Sequence, residues 1–229
     1  MRHGKTSGRI FATIALATAP LALVTFAATP AAAQSSGVKG ILGDASDNAL
    51  DKLSEPGAFY ADKAVRILLP GPLQKATSIL RFTSKAGLTK DITKTLNDAA
   101  GKAALEAKPV FRSAIDGLTL QDGVGIVTGG EAAGSDYLRR TSGEELAVKV
   151  RPLVEKALVE LGAYEQVERL GSISSLAKLG GTDLSRDGLT DSVTDQAMDG
   201  IFTYIGKEEA NFRSNPLDKG KKLFKGIFE

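Results

Sequence analysis

The strongest hydrophobic repeat in the chain is LTDSVTDQAMDGIFTYIGKEEANFR, residues 189–213. Its apolar side chains recur at about four-residue spacing, which predicts one long helix with a buried apolar face. The series comprises Leu189, Val193, Ala197, Ile201, Ile205 and Phe212, with Phe202 beside them. Asn215-Pro216 is expected to end this helix, because proline cannot continue it.

Weaker helical spacing covers most of the chain before residue 189. It predicts helices over residues 38–53, 73–87, 89–107, 131–140, 142–161 and 164–179, with a short helix after Thr119. The apolar run Val65–Leu69 has no partner strand, so we interpret it as a buried connector. Asp44, Asp47 and Asp51 are interpreted as a solvated helix face. Short connections then predict an all-α, single-domain bundle of about seven to nine helices over residues 34–229.

Three sequence features predict breaks between helices. Pro109 is expected to start a new helix, because proline is tolerated in a first turn. Pro152 is expected to kink or split the helix that contains it. Thr141-Ser142-Gly143-Glu144 matches a capping box, in which side chains satisfy the free N–H groups at a helix start. A helix junction is therefore expected near Thr141.

The N-terminus has the three-part pattern of a secretory signal peptide. Basic residues come first, residues 10–28 are apolar and uncharged, and Ala31-Ala32-Ala33 follows. Cleavage is predicted before Gln34, which removes residues 1–33 and leaves a loose start over residues 34–37. The mature protein is then expected in the periplasm. An uncleaved anchor is the alternative, because the apolar run approaches the length that spans a bilayer.

Composition excludes several kinds of chemistry from the mature chain. The only histidine is His3 and there is no cysteine. Ser-His-Asp and Cys-His catalysis, ordinary zinc sites and a lipoprotein anchor are therefore excluded. Loss of Arg2, Lys5 and Arg9 takes the 29 Lys and Arg to 26, against 27 Asp and Glu, for a net charge of −1. Such a chain has no overall field for nucleic acid, and no cofactor is expected.

Four stretches resemble one protein family, the bacterial envelope family called domain of unknown function 4197. They are residues 67–73 (ILLPGPL), 106–111 (EAKPVF), 126–141 (IVTGGEAAGSDYLRRT), and 197–202 with Glu208-Glu209 and residues 213–216. The resemblance extends over nearly the whole mature chain and implies an exported helical protein. It implies no activity. The family pattern would have an ordered, apolar segment before the last long helix, whereas this chain has the Gly-rich loop 180–188 there.

A polar cluster follows Gly129-Gly130 and is the first candidate site. Its members are Glu131, Asp136, Tyr137, Arg139, Arg140 and Thr141. In one interpretation Asp136 and Arg140, four residues apart, form a helical ion pair and Tyr137 packs as a buried aromatic. In the other, the two arginines and the free N–H groups of the helix expected after Thr141 bind an anion.

A second candidate is a weak calcium loop in the Gly-rich segment. Asp183, Ser185, Asp187 and Asp191 occupy ligand positions one, three, five and nine of such a loop. Thr194 stands where a bidentate glutamate is needed. The preferred interpretation is therefore a turn that caps the following helix, and no metal is expected.

The last residues, 217–229, form a basic amphipathic tail. Leu223, Phe224, Ile227 and Phe228 make one side, and Lys219, Lys221, Lys222 and Lys225 the other. We expect this tail to dock on the body of the protein. The alternative is peripheral contact with anionic lipid, which four lysines support by only about 1 kcal/mol each.

These observations predict a non-catalytic periplasmic or cell-envelope protein that binds a partner, either an anionic small ligand or an envelope protein. The alternative is an envelope hydrolase or lyase that uses carboxylates with Tyr137 and Arg140. A deep pocket that holds two carboxylates within about ten ångströms would favour the enzyme. A shallow groove would favour binding.

Overall fold

The computed structural model describes residues 31–71, 74, 86–119, 126, 129–173 and 185–214. Six helices have defined bounds there: α1 Ala31–Ser54, α2 Ala58–Ala61, α3 Ala86–Asp116, α4 Ala133–Glu160, α5 Ala163–Ile173 and α6 Arg186–Ser214. These ranges contain no strand. The prediction of a single all-α bundle is confirmed, and α3 and α4 are longer than expected, because each covers two of the predicted helices.

Four long helices form the body of the bundle. Helix α1 packs against α3 and α6, and α4 packs against the same two helices, which closes a ring around one core. The largest fully buried side chains in this core are Phe59, Phe111, Leu42, Leu50, Leu53, Ile67, Ile92, Leu96, Ile115, Ile126 and Leu138. The apolar series on α6 is buried as the repeat predicted, from Leu189 to Ile205.

Neither proline interrupts its helix, so the helix start predicted at Pro109 and the split predicted at Pro152 are wrong, whereas a kink at Pro152 stays a prediction. Pro109 lies inside the continuous α3 and Pro152 inside the continuous α4. A proline frees the carbonyl four residues earlier, here on Leu105 and Val148. Both of these residues are exposed, Val148 by 72%. Each helix therefore continues because water can hydrate the freed carbonyl, while the opposite face stays packed in the core.

The predicted junction at Thr141 is also wrong, because α4 runs through it. Thr141 Oγ1 donates back to the carbonyl of Tyr137 at 2.9 Å, which is the bond of a hydroxyl inside a helix rather than of a cap. Leu138 and Leu146, on either side of the proposed box, are both buried. Because α4 packs against the core both before and after residues 141–144, the helix continues through them.

The extended connector before residue 71 is confirmed as buried on one side, whereas Leu68 is 50% exposed. Val65, Ile67 and Leu69 point into the core. In place of a partner strand, Asn97 of α3 accepts from the Ile67 N–H at 2.8 Å and donates to the Ile67 carbonyl at 2.9 Å. Gln196 of α6 makes the same pair of bonds to Leu68, at 2.8 and 3.1 Å. A side-chain amide has one acceptor and a donor, so it satisfies a backbone residue as a neighbouring strand would.

The acidic face of α1 contacts α3 instead of being simply solvated. Arg112 of α3 donates to Asp44 at 3.1 Å and to Asp47 at 2.7 Å, and Lys108 pairs with Asp51. These carboxylates raise the pKa of Arg112 above its ordinary value, chiefly through the hydrogen bonds that Arg112 donates to Asp47. The face is therefore an interhelical ion-pair seam at the rim of the core.

Several predictions fall outside the described residues. They concern the signal-peptide segment 1–30, most of the helix expected over residues 73–87, the loop before residue 185, and the tail 217–229. Helix α1 already begins at Ala31 and includes residues 34–37. The cleavage site before Gln34 stays a prediction. Within the described ranges, no helix combines the length and the hydrophobicity needed to cross a membrane.

Candidate functional site

The polar cluster lies at the start of α4. Glu131 is exposed in the turn that precedes the helix, and the other five residues occupy the first three turns of α4. Asp136, Arg139, Arg140 and Thr141 are exposed, whereas Tyr137 packs partly against the core. The cluster therefore has one aromatic side chain fixed by packing and several polar groups in contact with solvent.

The structure divides this cluster between two sides of α4. Between α3 and α4 lies a cavity of about 290 Å³, the α3–α4 cavity, lined by Ser113, Ala114, Gly117, Leu118, Tyr137, Thr141, Ser142, Glu145 and Lys149. Between α4 and α6 lies a hollow of about 240 Å³, the α4–α6 groove, lined by Ala132, Ser135, Asp136, Arg139, Phe202, Thr203 and Gly206. Tyr137 and Asp136 thus face different sites, although they are neighbours in sequence.

Arg139 belongs to the α4–α6 side and already has a carboxylate partner. It pairs with Asp199 of α6, and its guanidinium carbon lies 5.1 Å from the centroid of the Phe202 ring. Phe202 in turn meets Phe111 of α3 edge to face, with ring centroids 5.8 Å apart. Arg139 therefore covers the outer end of an aromatic pair that reaches into the core.

Arg140 has a different environment. Its guanidinium carbon lies 5.2 Å from the centroid of the Tyr137 ring, in cation–π range. Among the described residues it forms no ion pair, and the expected pair with Asp136 is not formed. Both of the other arginines in α4, Arg139 and Arg151, are paired with carboxylates. Arg140 thus contacts the ring of Tyr137, which lines the α3–α4 cavity, but Arg140 itself is not one of the lining residues.

The remaining wall of the α3–α4 cavity is polar. Glu145 and Lys149 form an ion pair at 2.6 Å on α4, and this hydrogen bond lowers the pKa of Glu145 below its ordinary value. Ser113 and Ser142 add hydroxyl groups from the two helices. The cavity contains both hydrogen-bond donors and acceptors, and its single carboxylate is already paired.

Sequence reasoning missed a buried carboxylate at the start of α4. Glu209 of α6 is only 1% exposed. Its two oxygens accept the backbone N–H groups of Gly134 at 2.9 Å and Ser135 at 2.8 Å. Arg213 donates to the same carboxylate at 2.7 and 3.0 Å, and also to the carbonyl of Ile126 at 2.9 Å. We call these five residues the Glu209 network.

The Glu209 network corrects the predicted anion site. That site required a helix start after Thr141, whereas the actual start of α4 is at Ala133. The free N–H groups and the dipole of that start are satisfied by Glu209, a carboxylate of the protein itself. An anion held between Arg139, Arg140 and a helix N-terminus is therefore not supported.

A signal for Glu209 was present in the repeat on α6. Continuing the four-residue spacing of Ile201 and Ile205 places Glu209 on the buried stripe. A glutamate at such a position needs a charged or hydrogen-bonding partner inside the protein. Glu208 is buried as well, and it accepts from Lys52 of α1 at 2.5 Å.

The calcium positions that the structure describes are used for other contacts. Arg151 of α4 donates to Asp187 at 2.8 Å and to Asp191 at 2.7 Å. Ser185 accepts the N–H of Gly188 at 3.1 Å, the N-cap contact that the turn interpretation implies. Asp183 lies outside the described residues. No group of metal-ligating side chains occurs within the described ranges.

Comparison with known proteins identifies the family of this chain. The Glu209 network joins residues 126–141 to residues 208–216, two of the stretches that carry the family resemblance. No curated protein and no solved structure matches the chain. One family model, described as "Protein of unknown function (DUF4197)", matches residues 29–229. Since that match covers most of the sequence, the chain belongs to the DUF4197 family.

Proposed function

We propose that this protein is an exported, non-catalytic binding protein that holds a small anionic ligand in the α3–α4 cavity. The observation that carries the proposal is the position of Arg140. Its guanidinium lies over the ring of Tyr137, a residue that lines the cavity, and it has no carboxylate partner among the described residues. An arginine held in place by an aromatic ring keeps its planar set of donors available for a carboxylate or phosphate.

The size and lining of the cavity support a small ligand. Its volume of about 290 Å³ is near the lower end of the range for small-molecule sites. The hydroxyl groups of Ser113 and Ser142 line the cavity and can donate to oxygens of the ligand. The Glu145–Lys149 pair adds a cation and an acceptor to the same wall. We expect a ligand with one anionic group near Arg140 and polar groups toward the two helices.

The carboxylate-based enzyme has less support. Asp136 and Tyr137, which it would use together, line different concave surfaces. Each of these surfaces contains one carboxylate, and the one in the α3–α4 cavity is paired with Lys149. General acid–base chemistry with two carboxylates needs both near one reacting bond. Binding therefore remains the better proposal for the α3–α4 cavity.

Export is part of the proposal and rests on the sequence. A basic start, an uncharged apolar run and Ala31-Ala32-Ala33 together support cleavage before Gln34 and release into the periplasm. N-terminal sequencing of the protein from the periplasmic fraction tests it. A sequence that begins at Gln34 is expected, and intact Met1 in the membrane fraction would indicate an anchor instead.

The binding proposal is tested by a thermal-shift screen on protein purified from the periplasm. The panel consists of small carboxylates, phosphates and sulfonates, each at millimolar concentration. One class is expected to raise the melting temperature of the wild type, since a ligand at about 100 times its Kd stabilises by about 2.7 kcal/mol. Titration calorimetry of the best compound then gives its affinity and stoichiometry.

Two variants locate the site. Arg140→Ala is expected to abolish the shift, because it removes the proposed anion contact. Arg151→Ala is the matched control: it removes an arginine from the same helix that already pairs with Asp187 and Asp191. It should lower the melting temperature of the free protein and keep the ligand-induced shift. An equal loss of the shift in both variants would contradict the α3–α4 cavity as the site.

A further inference from the structure

The α4–α6 groove is a second concave surface, separate from the proposed ligand cavity. Its floor contains the buried Phe202 and three small residues, Ala132, Ser135 and Gly206. A Cβ atom on Gly206 would meet Ser135 Oγ at 3.2 Å and Ala132 Cβ at 3.4 Å. Helix α6 thus lies close against the start of α4, and the hollow lies above this tightly packed floor.

The rim of the groove carries one carboxylate that is not neutralised. Asp136 is exposed and forms no ion pair among the described residues. Asp199, near the same rim, is paired with Arg139. Since Arg139 and Asp199 neutralise each other, Asp136 leaves this rim with a net negative charge. Such a rim above a floor of small side chains suits an amphipathic segment that has apolar side chains on one side and lysines on the other.

The sequence has such a segment directly after α6. Helix α6 ends at Ser214, eight residues and about 12 Å of helix beyond Gly206. Residues 217–229 follow Asn215-Pro216, and as a helix they would be about 20 Å long. Running back beside α6, such a helix would bring Phe224 level with Gly206, and Ile227 level with Thr203.

We propose that the C-terminal tail, residues 217–229, folds back along α6 and occupies the α4–α6 groove of its own chain. Leu223, Phe224, Ile227 and Phe228 pack over Ala132 and Gly206, beside the Arg139 guanidinium that already covers Phe202. The tail lysines lie along the rim that carries Asp136. The tail is favoured over a separate molecule as the occupant of the groove. Its short connection to the end of α6 holds it at an effective concentration in the millimolar range.

Disulfide trapping tests the register directly, because the natural chain has no cysteine to interfere. Thr203→Cys, on the exposed rim of the groove, is combined in turn with Asp218→Cys, Lys222→Cys and Gly226→Cys in the full-length protein after export. The intramolecular disulfide is expected to be strongest with Gly226→Cys, because bridged Cα atoms must lie about 4.4–6.8 Å apart. Val148→Cys, exposed on the outer face of α4, replaces Thr203→Cys in the matched control and is expected to give about tenfold less product.

Several other outcomes of the trapping experiment would contradict docking of the tail on its own chain. Equal yields with Thr203→Cys and Val148→Cys, or disulfides only between chains, would overturn docking in cis. Tail-dependent flotation with phosphatidylglycerol vesicles, without trapping, would assign the tail to the membrane and also overturn it. Adding Asp136→Asn should reduce the yield several-fold at low salt, since it removes the rim charge and has the same size. Trapping does not depend on any ligand of the α3–α4 cavity, so the two proposals can fail independently.

Discussion

Two arginines near the start of α4 have opposite surroundings. Arg213 reaches from α6 into the Glu209 network and donates to a carboxylate that is almost fully buried. Arg140, on the first turns of α4, lies over Tyr137 and has no carboxylate among the described residues. A buried charge must be balanced inside the fold, whereas an exposed one can be left for a ligand. We therefore expect the Glu209 network to determine stability and the Arg140 side to determine binding.

The largest expected effect follows from removing the buried carboxylate. Glu209→Ala leaves Arg213 and two backbone N–H groups of α4 without their acceptor, so we expect a loss of about 3–5 kcal/mol in the free energy of unfolding. Urea unfolding of the two proteins measures it. Glu144→Ala, at an exposed site on α4, is the control and should change stability by less than about 0.5 kcal/mol. A loss below about 1 kcal/mol for Glu209→Ala would mean that the network is not important for stability.

Two glycines of α4 provide the next comparison, with effects of opposite sign. A Cβ atom on Gly134 would meet Glu209 Oε1 at 2.8 Å, so Gly134→Ala must displace a carboxylate that is held by four hydrogen bonds. We expect it to cost about 1–3 kcal/mol. At Gly143 the nearest atom is 3.8 Å away, and alanine should stabilise the helix by about 0.5–1 kcal/mol.

Thermal or urea unfolding of the two alanine variants decides between these expectations. If both variants were stabilised, Glu209 would be able to shift without loss, and its contact with the start of α4 would be weaker than the distances indicate.

The two arginines themselves are compared by single substitutions. Arg213→Ala leaves Glu209 buried without its cation and should cost about 3 kcal/mol. Arg140→Ala removes one exposed cation–π contact and should cost about 0.5–1 kcal/mol. Urea unfolding in the absence of ligand measures both. Similar losses in the two variants would remove the distinction between a structural and a binding arginine.

The smallest effect on stability is expected from Asp62, which lies outside the Glu209 network and is more exposed than Glu209. The N–H of Ala64 and the hydroxyl of Tyr204 donate to this carboxylate, at 2.9 and 2.8 Å, and hold its pKa below the ordinary value. Since the pKa is lower in the folded state, this contribution to stability is present above about pH 4 and is lost as the pH falls. Burial of the Tyr204 hydroxyl, together with its hydrogen bond to Asp62, raises the pKa of Tyr204 to about 12.

Asp62→Asn is the variant that tests this pH dependence. It keeps the acceptor oxygen and the size of the side chain but cannot titrate. Its stability should therefore fall less than that of the wild type between pH 5 and pH 2. Parallel acid-unfolding profiles for the two proteins would show that Asp62 does not contribute.

Much of the fold could be predicted from local patterns. The helix of residues 189–213, the buried connector around Ile67 and the all-α class all follow from the spacing of apolar residues. The candidate cluster was predicted less well, since its residues are at the start of α4 but face two different sites. Spacing along one helix gives the angle between side chains, but it does not say which neighbouring helix covers each face.

The sequence by itself determined which faces are apolar, because a helix repeats every 3.6 residues whatever surrounds it. Only the tertiary structure decided where helices end. Pro109 and Pro152 face solvent and are tolerated, and Thr141 lies between two buried leucines, so the local stop signals had no effect. The tertiary structure also decided the partner of each charge. Glu209 and Arg213 reach the start of α4 from more than seventy residues away, and no local pattern specifies such a contact.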